Sequence, residues 1–175
     1  MQAMMTTEEA ALAMGGGARS TGEASFSSVS TDSRTLRPGA LFVALRGERF
    51  DGHQFLAAVR ERGAAAAMVD ESGAEQLAQS ALPAIVVGDT RRGLGQLAAR
   101  WRARFDIPVV AVTGTNGKTT VKEMIAAALR AHYGSEATLA TEGNFNNAIG
   151  LPLTLLRLLD SHACAVIEIG MNHCG

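Results

Sequence analysis

One stretch constrains the fold of this chain more than any other, the segment Val109 to Thr120 with the sequence VVAVTGTNGKTT. Its β-branched apolar run predicts a buried strand, and Gly114 and Gly117 allow a sharp turn before a helical pattern begins. Backbone N–H groups in such a turn can converge on one anion, and the positive end of the following helix adds to the attraction. The segment therefore predicts a strand, a phosphate-binding loop and a helix.

Two side chains of this loop carry the expected chemistry. Lys118 would supply charge to the β- and γ-phosphates of a nucleotide, and Thr119 would offer a hydroxyl to a phosphate-bound Mg²⁺. The spacing departs from the common GxxxxGK[ST] pattern, because Val112 stands where that pattern has its first glycine. The loop is the shorter GxxGKT, and a plain strand-to-helix turn with a solvent-exposed Lys118 is the alternative.

Composition limits the classes of partner. A chain of 175 residues is long enough for one ordinary domain or two small ones. Its formal net charge of −1 argues against a nucleic-acid surface and gives no electrostatic reason for membrane attachment. The N-terminus is acidic where a signal peptide would be basic, and no stretch approaches the length of a membrane span. We therefore expect a cytoplasmic protein without membrane insertion.

Strand and helix signals alternate before the loop, which favours a small α/β domain over a β-sandwich. A helix that leads into the turn at glycines 15–17 comes first. Pro108 ends a long helix capped by Asp89 or Thr90, so we place a domain border there. Residues 1–107 form the first predicted domain, with 1–24 a leader helix and turn, and residues 108–175 begin the second. The predicted strands cover Ser27–Thr31, Leu41–Leu45, Ala65–Val69 and Ala84–Val87, and the predicted helices cover Gln54–Arg62 and Glu75–Ser80.

The part after the loop predicts a parallel sheet with a ligand at its carboxyl edge. After the helix that follows the phosphate loop, the sequence predicts an Asn-rich loop, a helix after Pro152 and a strand Ala165–Ile169. This strand is only the second of the predicted sheet. Glu168 lies near the carboxyl end of that strand, where ligands collect, and a buried carboxylate needs a cation or a donor. As the partner of the Glu168 carboxylate, we favour Mg²⁺ shared with a nucleotide over an internal salt bridge. The predicted buried stripe of the helix after the loop consists of Val121, Met124, Ile125, Ala128 and Leu129.

On residue chemistry alone, two polar clusters are best explained as turns or caps, and a third has two readings. Residues 32–34, Asp-Ser-Arg, suit an Asx turn, and residues 51–53 suit a helix-capping loop with a surface histidine. The asparagines within residues 144–147 suit a polar ligand and a tight loop equally well.

Taken together, the segments resemble the Mur ligase family, ATP-dependent amino-acid ligases of peptidoglycan precursor synthesis. TGTNGKTT is similar to the family's compact phosphate loop, which accounts for the short spacing. STDSRTLRPGALFVALRGERFDGHQF is similar to the uridine-nucleotide-binding segment of some members. GNFNNAIGLPLTLLRL and AVIEIGMNHCG are similar to the members that add D-alanyl-D-alanine.

The resemblance implies ATP and Mg²⁺ as cofactors and a role for several residues. Lys118 and Glu168 are implied as catalytic, and Thr119 and Glu168 as Mg²⁺ ligands. Ser33, Arg34, Arg46 and Gly47 are implied near a uridine diphosphate. The implied nucleotide-binding residues are Thr113, Gly114, Thr115, Asn116, Gly117, Lys118, Thr119, Thr120, Asn144 and Asn147.

The resemblance also implies a reaction, in which a phosphoryl group activates the terminal carboxylate of UDP-N-acetylmuramoyl-tripeptide and the amine of D-alanyl-D-alanine displaces phosphate. Further elements of the family, a second Mg²⁺-liganding region and a third domain, do not occur in the sequence. We therefore expect an N-terminal fragment that is inactive alone and a full-length protein that is monomeric.

Three alternatives stay open at this point. One is a sibling ligase that adds diaminopimelate or lysine. The second is a stand-alone phosphate-loop NTPase or kinase, in which the Glu168 strand would hold the metal. The third is a non-catalytic nucleotide-binding module that has kept the fold.

Overall fold

The computed structural model describes residues 3–15, 17–48 and 50–170. The chain folds into two compact units, Met1–Leu97 and Ala98–Gly175. The first unit contains a mixed, mostly parallel sheet, and the second contains a parallel sheet. The division falls inside a helix, upstream of the border that the sequence predicts at Pro108, so the domain limits 1–107 and 108–175 stay a prediction.

The first unit is built on a five-stranded sheet. The strands of the whole unit, inside and outside this sheet, are β1 (Met5–Thr6), β2 (Arg19–Ser20), β3 (Ser25–Phe26), β4 (Ser28–Ser30), β5 (Ala40–Val43), β6 (Arg46–Gly47), β7 (Phe50–Asp51), β8 (Ala66–Asp70) and β9 (Ala84–Val87). Its helices are α1 (Thr7–Met14), α2 (Leu56–Glu61), α3 (Ala74–Ser80) and the first part of α4 (Thr90–Arg102). The sheet has the order β2-β9-β8-β5-β4, with β2 antiparallel to its neighbour and the other strands parallel. Two antiparallel pairs, β1 with β3 and β6 with β7, lie outside it.

The central strands of this sheet are buried along all or nearly all of their length, which explains their apolar sequences. Every residue of β5 and β9 is buried, and the core includes Phe42, Leu56 and Val59. The predicted strands are found within one or two residues of their predicted limits. The predicted helix over residues 54–62 begins instead as a 3₁₀ turn, Gly52–Phe55, before α2.

The helix at the N-terminus packs into this unit. Thr6 and Glu9 form a capping box, in which each side chain accepts a hydrogen bond from the other residue's backbone N–H. Ala10 and Met14 are buried, and β1 pairs with β3 just ahead of the helix. The predicted leader helix is therefore part of the folded unit.

The second unit carries a three-stranded parallel sheet. Its elements after α4 are β10 (Val109–Val112), α5 (Lys118–Tyr133), β11 (Thr138–Ala140), α6 (Gly150–Leu155) and β12 (Cys164–Glu168). The order β10-β12-β11 places β12 in the centre, with Val112 beside Glu168 and Ala140 beside Val166. The expectation of only two strands is wrong, because the three-residue strand β11 is too short to give an alternating or extended apolar pattern.

The helix α5 buries only part of the face that is predicted. Lys122 and Ala126 are buried, and Ile125 and Leu129 pack against the core of the unit. Met124 is 68% exposed, and Val121 and Ala128 are exposed as well. The prediction is wrong for these three residues because apolar side chains surround most of this helix, so that periodicity alone does not select one face.

Candidate functional site

The turn between β10 and α5 has the geometry of a phosphate-binding loop. Gly114 has φ 144° and Gly117 has φ 72°, backbone conformations that favour glycine. Helix α5 begins directly after Gly117 and has no acidic residue in its first turn. Its positive end is therefore not neutralised by a side chain of that turn, which suits an anionic ligand.

The side chain of Lys118 lies across this loop. Its Nζ donates a hydrogen bond to the backbone carbonyl oxygen of Gly114 at 2.8 Å. Phosphate oxygens are stronger acceptors for an ammonium group than a neutral carbonyl, because the hydrogen bond is then charge-assisted on both sides. The structure thus holds the predicted cation at the loop rather than extended into solvent.

The two predicted metal ligands meet at the same place. Thr119 Oγ1 donates a hydrogen bond to Glu168 Oε2 at 3.0 Å. The pairing of β10 with β12 causes this contact, since Glu168 lies beside Val112, the last residue of the strand that leads into the loop. The structure thus brings Thr119 and Glu168 into contact, while their roles stay a prediction.

Glu168 is 2% exposed, and its carboxylate is satisfied by hydrogen-bond donors. Asn146 Nδ2 donates to Glu168 Oε1 at 2.7 Å, and the backbone N–H of Glu168 donates to Thr141 Oγ1 at 2.9 Å. Within the described ranges Glu168 has no salt-bridge partner. The sequence predicts that the buried carboxylate needs a hydrogen-bond donor, and Thr119 and Asn146 are the donors.

The donor set fits Mg²⁺ bound together with a nucleotide. A hydroxyl and a carboxylate are hard oxygen ligands, which Mg²⁺ prefers. Among the residues that the structure describes, no group of three or more His, Cys, Asp or Glu could hold a metal ion. Thr119 and Glu168 would therefore supply only part of the coordination shell, and Mg²⁺ commonly completes it with phosphate oxygens and water.

The Asn-rich loop divides its side chains between structure and site. Asn147 Oδ1 accepts hydrogen bonds from the backbone N–H groups of Ile149 and Gly150 at 3.0 and 2.8 Å. Helix α6 begins at Gly150, directly after these bonds, rather than after Pro152, where the helix is predicted to begin. Asn146, which is absent from the predicted nucleotide-binding residues, is the asparagine that contacts Glu168.

The predicted uridine-diphosphate residues follow two neighbouring strands of the first unit. Ser33 and Arg34 come after β4, and Arg46 and Gly47 form β6, after β5. Because β4 and β5 are parallel and adjacent, both pairs belong to the carboxyl edge of the sheet. Asp32 accepts from Arg34 Nε at 3.0 Å and Nη2 at 2.8 Å, and this pairing lowers the pKa of Asp32 to about 2.

Arg46 belongs to a hydrogen-bonded network that ends on a buried histidine. Its Nε donates to Asp51 Oδ2 at 3.1 Å, and its Nη2 contacts Ser72. The other oxygen of Asp51, Oδ1, lies 2.6 Å from His53 Nδ1. The backbone N–H of Asp70 donates to His53 Nε2 at 3.2 Å, so the ring proton is on Nδ1. Burial raises the pKa of Asp51, but the hydrogen bonds from His53 and the charges nearby outweigh this and lower it.

The expectation of a surface histidine at position 53 is wrong, since His53 is 1% exposed. Asp51 does cap the 3₁₀ turn, and the capping pattern by itself explains the sequence Asp-Gly-His. The contact with Asp70 comes from the pairing of β5 with β8, which local sequence does not reveal.

Comparison with known proteins agrees with this arrangement of two units. The description "Mur ligase family, catalytic domain" matches residues 25–102, and "Mur ligase middle domain" matches residues 112–175. The chain belongs to the Mur ligase family. The stretch 171–175, part of one segment that carries the resemblance, lies outside the described residues.

Two relatives carry the name UDP-N-acetylmuramoyl-tripeptide--D-alanyl-D-alanine ligase. The protein of Escherichia coli is 50% identical over 147 residues, covering 84% of the chain and 31% of the relative. The protein of Haemophilus influenzae is 48% identical over 146 residues, covering 83% and 31%. The chain thus spans about a third of the length of these relatives.

Two solved structures of MurF are also similar to this chain. The crystal structure of MurF from Acinetobacter baumannii matches with a TM-score of 0.81 and 39% identity, over 97% of the chain and 36% of that protein. MurF ligase from Thermotoga maritima, solved in complex with ADP, matches with a TM-score of 0.65 and 31% identity, over 81% and 31%.

Proposed function

We propose that this chain supplies the nucleotide-phosphate site and the uridine-diphosphate site of an ATP-dependent ligase. The ligase would join D-alanyl-D-alanine to UDP-N-acetylmuramoyl-tripeptide, the reaction that the names of the two relatives describe. The observation that carries the proposal is the contact of Thr119 with Glu168 at the base of a glycine-rich loop. A carboxylate and a hydroxyl in this position suit Mg²⁺ bound to nucleotide phosphates.

The residues of the loop would act by binding and charge neutralisation. Lys118 and the backbone N–H groups at the start of α5 would hold the phosphate oxygens, and Thr119 and Glu168 would hold Mg²⁺. Bound Mg²⁺ neutralises phosphate charge, which phosphoryl transfer needs. No protein nucleophile is required for this chemistry, so the site needs positioned charges rather than an activated side chain.

The first unit would bind the uridine diphosphate of the sugar-peptide substrate. Arg34 and Arg46 are the cations of the predicted set, and Arg46 is held in place by Asp51. A diphosphate at this edge would gain charge-assisted hydrogen bonds from a guanidinium that is already oriented.

Titration calorimetry with ADP, in Mg²⁺ and in EDTA, tests the nucleotide site on the 175-residue chain. We expect binding that strengthens with Mg²⁺, and the substitution Lys118→Met should weaken it by about tenfold or more, because a charge-assisted hydrogen bond is lost. Arg91→Met removes the same charge from α4 and should leave binding unchanged. A folded protein that does not bind Mg²⁺ and ADP would contradict the proposal.

Phosphate release distinguishes the remaining alternatives. Hydrolysis of ATP by the chain without any uridine ligand would favour a stand-alone NTPase. Turnover that depends on D-alanyl-D-alanine would contradict our expectation that these residues alone are inactive. The alternative of a sibling ligase is tested in the full-length protein. There the tripeptide substrate is replaced by the corresponding dipeptide substrate, with diaminopimelate or lysine as the amine, and phosphate release under these conditions would favour the sibling ligase.

We also propose that the protein acts in the cytoplasm as a monomer. The formal net charge of −1, which gives no electrostatic reason for attachment to a membrane, supports the cytoplasmic part of this proposal. Separately, none of the helices in the described ranges is long and apolar enough to cross a bilayer.

A further inference from the structure

The sequence contains two lysines, Lys118 and Lys122, and both lie on the first turns of α5. Lys118 belongs to the phosphate loop. Lys122 is 0% exposed, although its neighbour Glu123 is mostly exposed. A buried ammonium group is costly unless it is paired, and an apolar side chain of similar volume would avoid that cost. A lysine at position 122 therefore needs an explanation beyond the filling of space in the core.

The contacts of Lys122 connect α5 to the end of β11. Its Nζ donates a hydrogen bond to the backbone carbonyl oxygen of Thr141 at 2.8 Å. The same ammonium contacts the carboxylate of Glu123, and this hydrogen bond lowers the pKa of Glu123. Lys122 is thus paired on its outer side and bonded to the main chain on its inner side.

Thr141 in turn is bonded to β12 twice, once through its backbone and once through its side chain. Its N–H donates to the carbonyl oxygen of Val166 at 3.0 Å, and its Oγ1 accepts from the N–H of Glu168 at 2.9 Å. Thr141 is buried and begins the loop that carries Asn146. The carbonyl oxygen of Thr141 is the group that Lys122 holds.

The loop returns to the same carboxylate at Asn146. Its side-chain amide donates to Glu168 Oε1, and its carbonyl oxygen accepts from the N–H of Gly170 at 2.7 Å. The position of Glu168 is thus set by Thr119 on α5 and by the two ends of the segment 141–146. Lys122 joins that segment to α5, one turn from Thr119.

We propose that Lys122 is a positioning residue for the Mg²⁺-nucleotide site, which holds Thr141 and the loop to Asn146 so that Glu168 faces Thr119. The proposal rests on the proposed function, since it assumes that this pair receives Mg²⁺ with the nucleotide. Outer partners of metal ligands commonly change metal affinity by about 10- to 100-fold when they are removed. Lys122 acts through the main chain of Thr141 and touches neither phosphate nor metal.

The first test separates Mg²⁺-dependent from Mg²⁺-independent binding of ADP in three variants. Lys122→Met should reduce the gain in ADP affinity that Mg²⁺ produces by about tenfold, while the affinity in EDTA stays near that of the wild type. Lys122→Arg keeps a donor and should recover most of the gain. Glu123→Gln leaves the bond to Thr141 and should bind like the wild type. Equal loss of affinity with and without Mg²⁺ in Lys122→Met would overturn the proposal.

A second measurement needs no nucleotide. Amide hydrogen exchange should become faster at Glu168 in Lys122→Met, because its acceptor Thr141 is no longer held. The N–H of Ala165 on the same strand donates to the carbonyl oxygen of Pro108 at 3.0 Å and is the internal control. Unchanged exchange at Glu168, or equal acceleration at both amides, would overturn the positioning role. Failure of the wild type to bind Mg²⁺ and ADP would contradict the proposed function instead, and the exchange result would still decide the role of Lys122.

Discussion

Thr119 and Glu168 are distant in sequence, and the register of two strands brings them together. The hydroxyl of Thr119 is the group that the proposed Mg²⁺ site depends on, so its removal is a direct test. Thr119→Val keeps the shape of the side chain and should weaken Mg²⁺-dependent ADP binding by about tenfold. Thr119→Ser keeps the hydroxyl and should bind like the wild type. Calorimetry in Mg²⁺ and in EDTA measures both, and equal affinities for Val and Ser would contradict the role of the hydroxyl.

His162 gives the stability of the chain a dependence on pH. Burial chiefly lowers the pKa of His162 from its ordinary 6.5, and Nδ1 accepts a hydrogen bond from the N–H of Leu159 at 2.9 Å. The folded state therefore favours the neutral ring. Below about pH 6.5 the unfolded chain takes up the proton first, so the free energy of unfolding decreases as the pH falls.

The substitution His162→Asn tests this dependence, because its Oδ1 can accept the same hydrogen bond without titrating. Urea unfolding of the wild type should show a loss of stability between about pH 7.5 and about pH 5.5. The loss should be smaller in His162→Asn. Identical losses in the two proteins would show that other groups cause the change.

At the residue scale, the sequence predicts candidate site residues where the chemistry is local, and their roles stay a prediction. Lys118 and Thr119 follow from the glycine-rich turn, and Glu168 follows from an acidic residue in an apolar strand. Lys122, Thr141 and Asn146 were not predicted as site residues, because their contacts arise from the packing of α5 and β11 around β12. Local sequence patterns do not predict which strands pair when those strands are distant in the sequence.

At the scale of elements, long apolar runs were predicted well and short or amphipathic pieces were not. The strands β5, β8 and β9 lie within one or two residues of their predicted limits because they are buried on both faces. The strand β11 was missed, since three residues offer no periodicity. The predicted face of α5 is confirmed only at Ile125 and Leu129, because the sheet and not the helix selects which apolar residues are covered.

The 3₁₀ turn Glu71–Gly73 packs its last residue against the buried ring of His53. A Cβ atom at Gly73 would lie 2.1 Å from His53 Cδ2, so Gly73→Ala should displace the ring and reduce the free energy of unfolding by about 1 to 3 kcal/mol. Gly88 has open space around its Cβ position, and Gly88→Ala is the matched control. Urea unfolding measures both variants. Equal stability of the two would contradict the packing of His53 on this turn.

At the scale of the whole molecule, exposed apolar residues and a net charge close to zero favour self-association. Met124 is 68% exposed and lies one turn from the exposed Val121 on α5. Leu12 is 76% exposed but follows Glu8 and Glu9 on α1. The exposed face of α5 is therefore the more apolar of the two.

Met124→Glu should raise the solubility of the chain more than Leu12→Glu. Each variant adds one negative charge to the formal net charge of −1, so a difference between them reports the position and not the charge. Static light scattering against protein concentration measures the association. Equal improvement in both would show that net charge alone controls it.

The strand order of the second unit also sets a condition on synthesis. Both β10 and β11 pair with β12 and not with each other, and β12 is the last of the three in the chain. A ribosome therefore completes the phosphate loop well before the strand that joins the sheet, so the loop emerges without Glu168 beside it. Because Glu168 is part of the proposed nucleotide site, the nascent chain can assemble that proposed site only after residue 168 has left the exit tunnel, and the long-range pairing that follows is slow to form.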